Sequence, residues 1–242
     1  KAKQAKAYFA HEYLAPAWRP RYVDDVRREM AAIGLAPVGS ATLRDNFDNF
    51  VLRKAAREAL AEIDDRDRRE LIRDYFMFQR FRRDVYGRAV PPLDDADRRE
   101  RLLATAFALT RPVPLIAFQM ETEAGSLGFD NPVAHRLVDR LAAGPCVLRD
   151  CLGEDAPEQD LLANALSLCC AGAIAPADRP VAVDRVNQVL LDHLDPATGT
   201  TLRVLPWGTA LRFDGVILIA LRDGRPTPDR LRPWTDFLKQ IG

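Results

Sequence analysis

Residues 131–176 carry the clearest fold signal in the chain and read NPVAHRLVDRLAAGPCVLRDCLGEDAPEQDLLANALSLCCAGAIAP. Asn131 followed by Pro132 is typical of a helix start, because the Asn side chain can accept backbone N–H groups and Pro suits the first helical position. Apolar residues then recur at helical spacing, and Gly144 marks the predicted end of the helix. These signals predict an amphipathic helix whose buried face is formed by Val133, Leu137, Val138 and Leu141.

The remainder of this stretch predicts two more helices. A short helix is expected over 147–152 and a longer one over 158–171, where apolar side chains again fall on one face. Gly172 is the expected stop, and a short strand or turn follows at 174–176. Long, short and long helices followed by a wing-like hairpin form the winged-helix pattern, so we predict a winged-helix-like subdomain with short strands.

The first hundred residues show a different, mainly helical pattern. The sequence predicts helices over 22–33 and 54–63, a loop over 36–50, and a long helix that begins at Asp65 or Asp67 and ends near Tyr86. The long helix has a wide apolar stripe, which predicts burial on more than one side. We therefore expect a mostly α-helical α+β chain, with a helical middle or junction subdomain over 1–100 and a winged-helix-like C-terminal subdomain over 101–242.

The charge balance of the chain limits the classes of partner. Lysine plus arginine equals aspartate plus glutamate, 35 against 35 in 242 residues, so the formal net charge is zero. A protein that binds nucleic acid or anionic membranes usually has a basic excess. The third predicted helix, 158–171, would be the recognition helix, and it contains no Lys or Arg to contact phosphates. We therefore expect no nucleic-acid or membrane partner, and a protein partner fits the neutral surface better.

Common catalytic and metal-binding motifs are not visible. The sequence has no glycine-rich dinucleotide or phosphate loop, no zinc-hydrolase motif and no serine-nucleophile elbow. The four cysteines, at 146, 151, 169 and 170, lack the C-x-x-C spacing of most zinc sites. We interpret them as small apolar side chains in a reducing cytoplasm, with a metal or redox role as the alternative. We expect a cytoplasmic protein without a metal site.

Several segments are nevertheless similar to a known family. Residues 9–14 (FAHEYL), 18–22 (WRPRY) and 34–41 (GLAPVGSA) resemble the segment that leaves the S-adenosylmethionine-binding domain in bacterial methyltransferases with a methyltransferase regulatory domain. The segment 81–86 (FRRDVY) is also similar to this family, as is the helical pattern around Leu141, Gly144, Leu166 and Gly172. The resemblance covers nearly the whole chain.

This resemblance implies an architecture and a role. In the family, a Rossmann-like domain binds S-adenosylmethionine and the region seen here follows it; some members resemble protein-lysine methyltransferases, whose downstream region helps to hold a protein substrate. No glycine-rich strand–turn–helix opens this chain, so it begins where that domain should end. We expect a regulatory or substrate-recognition region of such an enzyme, inactive and without cofactor when alone. Its implied partners are the missing N-terminal catalytic domain and a protein substrate, and a homodimer is one option.

His11, Glu12 and Tyr13 are the catalytic candidates. A neighbouring His and Glu could orient a substrate amine or accept its proton, because methyl transfer to lysine needs a neutral amine. The alternative is that His11 and Tyr13 only pack at the domain junction.

The candidates for contact with a substrate or a partner are aromatic or charged. Aromatic side chains here could form a wall of a substrate cleft, or could anchor the entry into the first helix. The charged side chains could bind an acidic substrate, pair across a domain interface, or form a solvated helix face. The candidates are Trp18, Tyr22, Arg80, Arg82, Arg83 and Asp84.

Two other functions compete with the methyltransferase-associated role. The first is a stand-alone winged-helix-like module for protein–protein interaction, because winged helices also serve as protein-binding modules. The second is a DNA-binding regulator, which the acidic start of the third predicted helix disfavours.

Overall fold

The computed structural model describes residues 19–151, 156–177, 184–192, 200–204, 210–214, 217 and 229–240. It divides into two units, Lys1–Pro91 and Pro92–Gly242. Helices dominate both units and the strands form small antiparallel sheets, which confirms the mostly α-helical α+β class. The subdomain boundary after residue 100 stays a prediction. Within the described ranges, no helix is long and apolar enough to span a bilayer.

In its described residues, 19–91, the first unit combines four α-helices with one strand pair. Its elements in chain order are α1 (Val23–Ala32), β1 (Ala36–Ser40), α2 (Asp48–Val51), α3 (Lys54–Ala61), α4 (Arg66–Met77) and β2 (Asp84–Gly87). Strands β1 and β2 pair antiparallel, with Ala36 opposite Gly87 and Ser40 opposite Asp84. Among the described residues of this unit, the buried apolar side chains are Val23, Phe50, Val51, Leu52 and Leu60. Because this apolar set is small, polar contacts between the elements carry much of the packing.

The end of α1 is set by a glycine, which directs the chain into β1. Gly34 has a φ of +78°, a conformation that glycine adopts without steric penalty. Its N–H donates to the carbonyl oxygen of Ala31 (3.0 Å), and the N–H of Leu35 donates to that of Met30 (2.9 Å). These two bonds form a Schellman motif, in which the last helical carbonyls are satisfied.

Two expectations for this unit are wrong. Strand β1 begins the segment predicted as a loop over 36–50. The helix predicted to reach Tyr86 ends at Met77, and β2 follows where more helix was expected. The residues of β2 are extended because they pair with β1, a partner more than forty residues away in the sequence. A local apolar pattern does not reveal such a pairing.

The expected burial of the long helix on more than one side is also wrong. Tyr75 and Phe76 in its last turn are 64% and 49% exposed. The wide apolar stripe therefore reflects an exposed aromatic surface rather than a helix surrounded by core.

The second unit contains five helices in its described residues. They are α5 (Asp95–Ala104), α6 (Pro132–Ala142), α7 (Glu158–Cys170), α8 (Asp184–Asp192) and α9 (Arg232–Gln240). The strands are β3 (Ala106–Leu109), β4 (Gln119–Thr122), β5 (Gly125–Gly128), β6 (Cys146–Val147), β7 (Ile174–Pro176), β8 (Thr200–Val204) and β9 (Ala210–Asp214). Strand β3 lies between β6 and β7 in an antiparallel sheet, while β4–β5 and β8–β9 are hairpins. One apolar core joins α6, α7 and the three-stranded sheet, and it includes Phe107, Leu137, Leu141, Leu168 and Ile174.

The start of α6 agrees with the sequence prediction. The Asn131 side-chain oxygen accepts the N–H groups of Val133 (3.0 Å) and Ala134 (3.1 Å). Its Nδ2 donates to Oδ1 of Asn164 on α7 at 2.8 Å, so the same side chain caps one helix and joins it to the next. Leu137, Val138 and Leu141 are buried as predicted. Val133 was also predicted to be buried but is only half-buried, and its neighbour Ala134 is buried instead.

Helix α7 also agrees with its predicted range, but the winged-helix assignment stays a prediction. After α7 the chain forms β7, which pairs with β3. The residues that would continue a wing from β7, 178–183, lie outside the described part of the chain.

Candidate functional site

A groove of about 710 Å³ lies in the first unit, between the start of α1, the end of α4 and β2. We call it the aromatic groove, because its walls include Tyr22, Tyr75, Phe78 and Tyr86. Its charged lining residues are Arg21, Asp74, Arg80, Arg82 and Asp84. The structure therefore brings together four of the predicted contact residues: Tyr22, Arg80, Arg82 and Asp84.

The rings of the aromatic groove are open to solvent. Tyr75 and Phe78 are 64% and 75% exposed, and Tyr22 is 59% exposed. The rings of Tyr22 and Tyr75 contact each other, with centroids 6.4 Å apart. The Arg80 guanidinium lies 5.3 Å from the centroid of the Phe78 ring, within the range of a cation–π contact. Clustered exposed aromatic rings are typical of surfaces that contact another molecule.

Arg82 joins the elements that form the groove. Its Nε lies 2.8 Å from a carboxylate oxygen of Asp84, and its two terminal nitrogens lie 2.5 Å from Asp74 and 2.7 Å from Glu70. The Arg82 side chain is only 21% exposed. All three nitrogens are thus bound to carboxylates, and α4 is held to β2. Arg82 therefore has a structural role, and its charge is not free to bind a ligand.

Glu70 is shared by three arginines in the same network. Arg82 is its closest partner, while Arg27 and Arg73 approach it at 3.6 and 3.7 Å. Burial opposes the ionised form of Glu70, but the hydrogen bond and charge of Arg82, together with the charges of Arg73 and Arg27, outweigh burial and lower its pKa. The pKa of Asp74 is raised instead, because burial is the largest effect there and Arg82 offsets only part of it.

Asp48 is a second anchor of this network, on α2. It accepts from Arg73 at 2.7 Å and from Arg69 at 2.5 Å, which ties α2 to α4. Burial disfavours the Asp48 carboxylate, yet the bonds from Arg73 and Arg69 lower its pKa. A polar cavity of about 600 Å³ is lined by these same ion pairs, and its arginines and carboxylates are close to balanced. That balance gives the polar cavity no clear preference for a charged ligand.

Arg83 is the remaining predicted site residue within the described ranges, and it does not line the groove. Arg83 is exposed and donates to the Thr42 hydroxyl oxygen at 2.8 Å. His11, Glu12, Tyr13 and Trp18 lie outside the described residues, so their proposed roles stay predictions.

Sequence reasoning missed Tyr75 and Phe78 as site residues. Both fall in the segment predicted as buried helix, so their aromatic character was assigned to a core. A signal was present, because an apolar stripe too wide for one buried face can also mean an exposed aromatic surface.

Cys146 and Cys151 of the second unit are buried, and Cys169 and Cys170 are half-buried. Burial raises the pKa of the Cys169 thiol to about 12, and burial together with the neighbouring Cys146 raises that of Cys151 to about 12. Such thiols are protonated at neutral pH, whereas the thiolate is the nucleophile and metal ligand. This supports their interpretation as small apolar side chains. The described ranges also contain no group of His, Cys, Asp and Glu arranged to hold a metal ion.

The described residues do not fit an S-adenosylmethionine site of the Rossmann type. Such a site is built on parallel strands, with a glycine-rich turn between a strand and the next helix. The strand pairs in the described part of the chain are all antiparallel. We therefore derive no cofactor chemistry from these residues.

Acidification is expected to destabilise the first unit. The pKa values of Asp48 and Glu70 are lower in the folded protein than their usual values of 3.8 and 4.5. Their ionised forms therefore add stability above those values, which is lost as the pH falls toward the lower folded pKa values. The raised pKa of Asp74 changes stability with pH in the opposite direction, but two carboxyl groups, Asp48 and Glu70, have lowered pKa values.

The measurement is the melting temperature of the first unit at about pH 7 and at about pH 3. We expect a lower value in acid, and a smaller acid shift in the Glu70→Gln variant. A melting temperature that is equal at both pH values would contradict the role of the network.

Comparison with known proteins agrees with the resemblance. Residues 5–88 match the family model described as a predicted methyltransferase regulatory domain. An uncharacterized protein of Synechocystis, sll1526, is 30% identical over 164 residues, which cover 68% of this chain and 32% of that protein.

Solved structures show a shared fold. The structure of PKMT2 from Rickettsia typhi in complex with AdoHcy matches 99% of this chain and 54% of its own, with a TM-score of 0.58 and 15% identity. A second structure of PKMT2 from the same organism matches 97% of this chain and 59% of its own, with a TM-score of 0.56 and 14% identity. This chain thus spans about half the length of these structures and about a third of the curated relative. The family model confirms that residues 5–88 resemble the methyltransferase regulatory domain indicated by the sequence, and the solved structures show that the chain shares their fold.

Proposed function

We propose that this chain is the substrate-recognition or regulatory region of an S-adenosylmethionine-dependent methyltransferase of the protein-lysine type, and that it is inactive alone. One observation carries the proposal: the residues of the aromatic groove, from Pro20 to Tyr86, all fall inside the 5–88 segment that matches the regulatory domain. The segment that matches the family model thus contains an open aromatic contact surface.

The charges of the groove support recognition rather than catalysis. A base for methyl transfer to an amine must be free to accept a proton. The groove carboxylates, Asp74 and Asp84, are both bound to Arg82. They hold the fold together, and the exposed aromatic rings are left for contact with a partner.

The partners follow from this role. A catalytic domain binds S-adenosylmethionine, and a protein supplies the amine that is methylated; both would meet this chain in the cytoplasm. The winged-helix-like part serves protein contacts, including a homodimer, rather than DNA. The exposed residues at the start of α7 are Glu158, Gln159 and Asp160, which would repel or fail to attract phosphate.

The first test is titration calorimetry of this chain with S-adenosylmethionine. We expect no binding in the micromolar range and no methyl transfer to a lysine-bearing protein by the chain alone. Micromolar binding or turnover would contradict the proposal.

The second test uses the intact methyltransferase that contains this region. The Tyr75→Ala variant removes an exposed ring of the groove, so we expect a raised KM for the protein substrate with an unchanged KM for S-adenosylmethionine. An unchanged KM for the protein substrate would count against a role in recognition.

A further inference from the structure

We infer that the aromatic groove docks an extended protein segment in which an apolar side chain lies beside a carboxylate, with Phe78 and Arg80 as the anchors. The inference rests on the proposed role in substrate recognition and deepens it, because it names the chemistry of the segment that is recognised.

Phe78 is the first reason for this inference. Its φ is +53°, a left-handed conformation that is unfavourable for a bulky side chain. Its ring is 75% exposed, so burial does not compensate for the strain. The end of α4 does not require phenylalanine, because the bonds that close it are made by backbone N–H groups, from Phe78 to Tyr75 (3.2 Å) and from Gln79 to Asp74 (2.9 Å). Strain kept at an exposed aromatic side chain points to a contact outside the unit.

The surroundings of Phe78 hold its backbone in place. Arg82 follows four residues later and binds Glu70 and Asp74 on α4 as well as Asp84 on β2. The short segment that carries Phe78 and Arg80 is therefore fixed at both ends. A surface with fixed anchors loses less conformational entropy on binding than a mobile one.

The charged residues of the groove indicate which polar group the docked segment carries. Arg21 is paired with Glu29, and Arg82 with three carboxylates. Arg80 is exposed, contacts the Phe78 ring, and forms no ion pair with any described residue. Arg80 can therefore bind a carboxylate of the incoming segment through charge-assisted hydrogen bonds.

The same arrangement disfavours an ammonium group as the occupant. The guanidinium of Arg80 lies over one face of the Phe78 ring, and both carboxylates of the groove already bind Arg82. A lysine side chain would therefore meet an arginine without gaining a free carboxylate. The apolar part of the occupant packs on Tyr22, Tyr75 and Phe78, which supply the exposed ring surface.

The experiment is fluorescence anisotropy of the full chain with labelled synthetic decapeptides. The test peptide alternates leucine and glutamate; one comparison peptide alternates leucine and lysine, and the other alternates serine and glutamate. We expect the leucine–glutamate peptide to bind at least about tenfold more tightly than either comparison peptide. Equal or tighter binding of the leucine–lysine peptide would overturn the inference.

Phe78→Gly separates binding from folding. Glycine favours the left-handed conformation, so the melting temperature of this variant should be unchanged or higher, while binding of the leucine–glutamate peptide falls by about tenfold or more. Arg80→Glu should reverse the preference between the glutamate and lysine peptides. Arg88→Glu makes the same charge change at an exposed residue outside the groove and should leave binding unchanged.

Two further results would contradict the inference. Retained binding in Phe78→Gly would show that the peptide binds elsewhere. Light scattering that shows a dimer dissociating in Phe78→Gly would assign the groove to a second copy of the chain. These results do not depend on the calorimetry with S-adenosylmethionine, so failure of this inference and failure of the proposed function are distinguishable.

Discussion

Replacing Arg82 with alanine is expected to lower the free energy of unfolding of the first unit by about 3 kcal/mol, because it removes the nearest cation of three carboxylates and leaves Glu70 only its longer contacts to Arg27 and Arg73. Glu70, Asp74 and Asp84 each lie within 2.8 Å of Arg82, and their side chains are 11–17% exposed. Removing one partner of a largely buried ion pair leaves a desolvated charge, which is more damaging than removing both. The melting temperature of the first unit should fall by roughly 10–20 °C, as measured by differential scanning calorimetry.

Arg80→Ala is the matched control for this prediction. Arg80 lies two residues earlier, is exposed, and has a cation–π contact instead of an ion-pair network. Its loss should change the free energy of unfolding by no more than about 0.5 kcal/mol. Equal, small effects of the two variants would show that the Arg82 network does not hold the unit together.

Leu137→Ala is expected to destabilise the second unit by about 3 kcal/mol. The side chain of Leu137 is completely buried on α6, within the core shared with α7 and the three-stranded sheet. Its truncation removes apolar burial and leaves a cavity, and both effects lower the free energy of unfolding. Urea unfolding followed by far-ultraviolet circular dichroism measures the loss, through a lower midpoint for the second unit.

Leu102→Ala is the corresponding control, because the same atoms are removed from a leucine that is 44% exposed on α5. Its effect should stay below about 1 kcal/mol. If Leu102→Ala and Leu137→Ala were equally destabilising, the assignment of Leu137 to the core would be wrong.

The Arg82 variant also links stability to the candidate site. Arg82 lines the groove and holds β2 to α4, while Phe78 and Arg80 lie between the elements it joins. Loss of Arg82 should therefore weaken peptide binding through disorder of the anchors, with a lower melting temperature. Phe78→Gly should weaken binding without that loss of stability, so the two variants distinguish positioning of the groove from direct contact with its occupant.

Features that depend on neighbouring residues were predictable. The helix starts at Asn131 and Asp65 need only a few consecutive residues, and the structure shows both side chains as N-caps. Each is a local competition for backbone hydrogen bonds, which residue type largely decides.

The site was predictable only in part. The resemblance to the regulatory-domain family directed attention to the segments around Tyr22 and 81–86, and the structure places Tyr22, Arg80, Arg82 and Asp84 around one groove. The resemblance assigned no individual roles to the charged residues. The carboxylates that bind Arg82 lie on α4 and β2, so they could be identified only from the way these two elements pack together. Arg83, adjacent in the sequence, contacts Thr42 instead.

The amino-acid sequence by itself determined the helical content, the helix starts at Asp65 and Asn131, the zero net charge and the similarity to the methyltransferase regulatory domain. Only the tertiary structure decided that 84–87 is a strand, that Arg82 is held by three carboxylates, and that Tyr75 and Phe78 are exposed. The physical reason is that strand pairing and burial depend on residues distant in the chain, so the same aromatic residues fit a core or a contact surface until their neighbours are known.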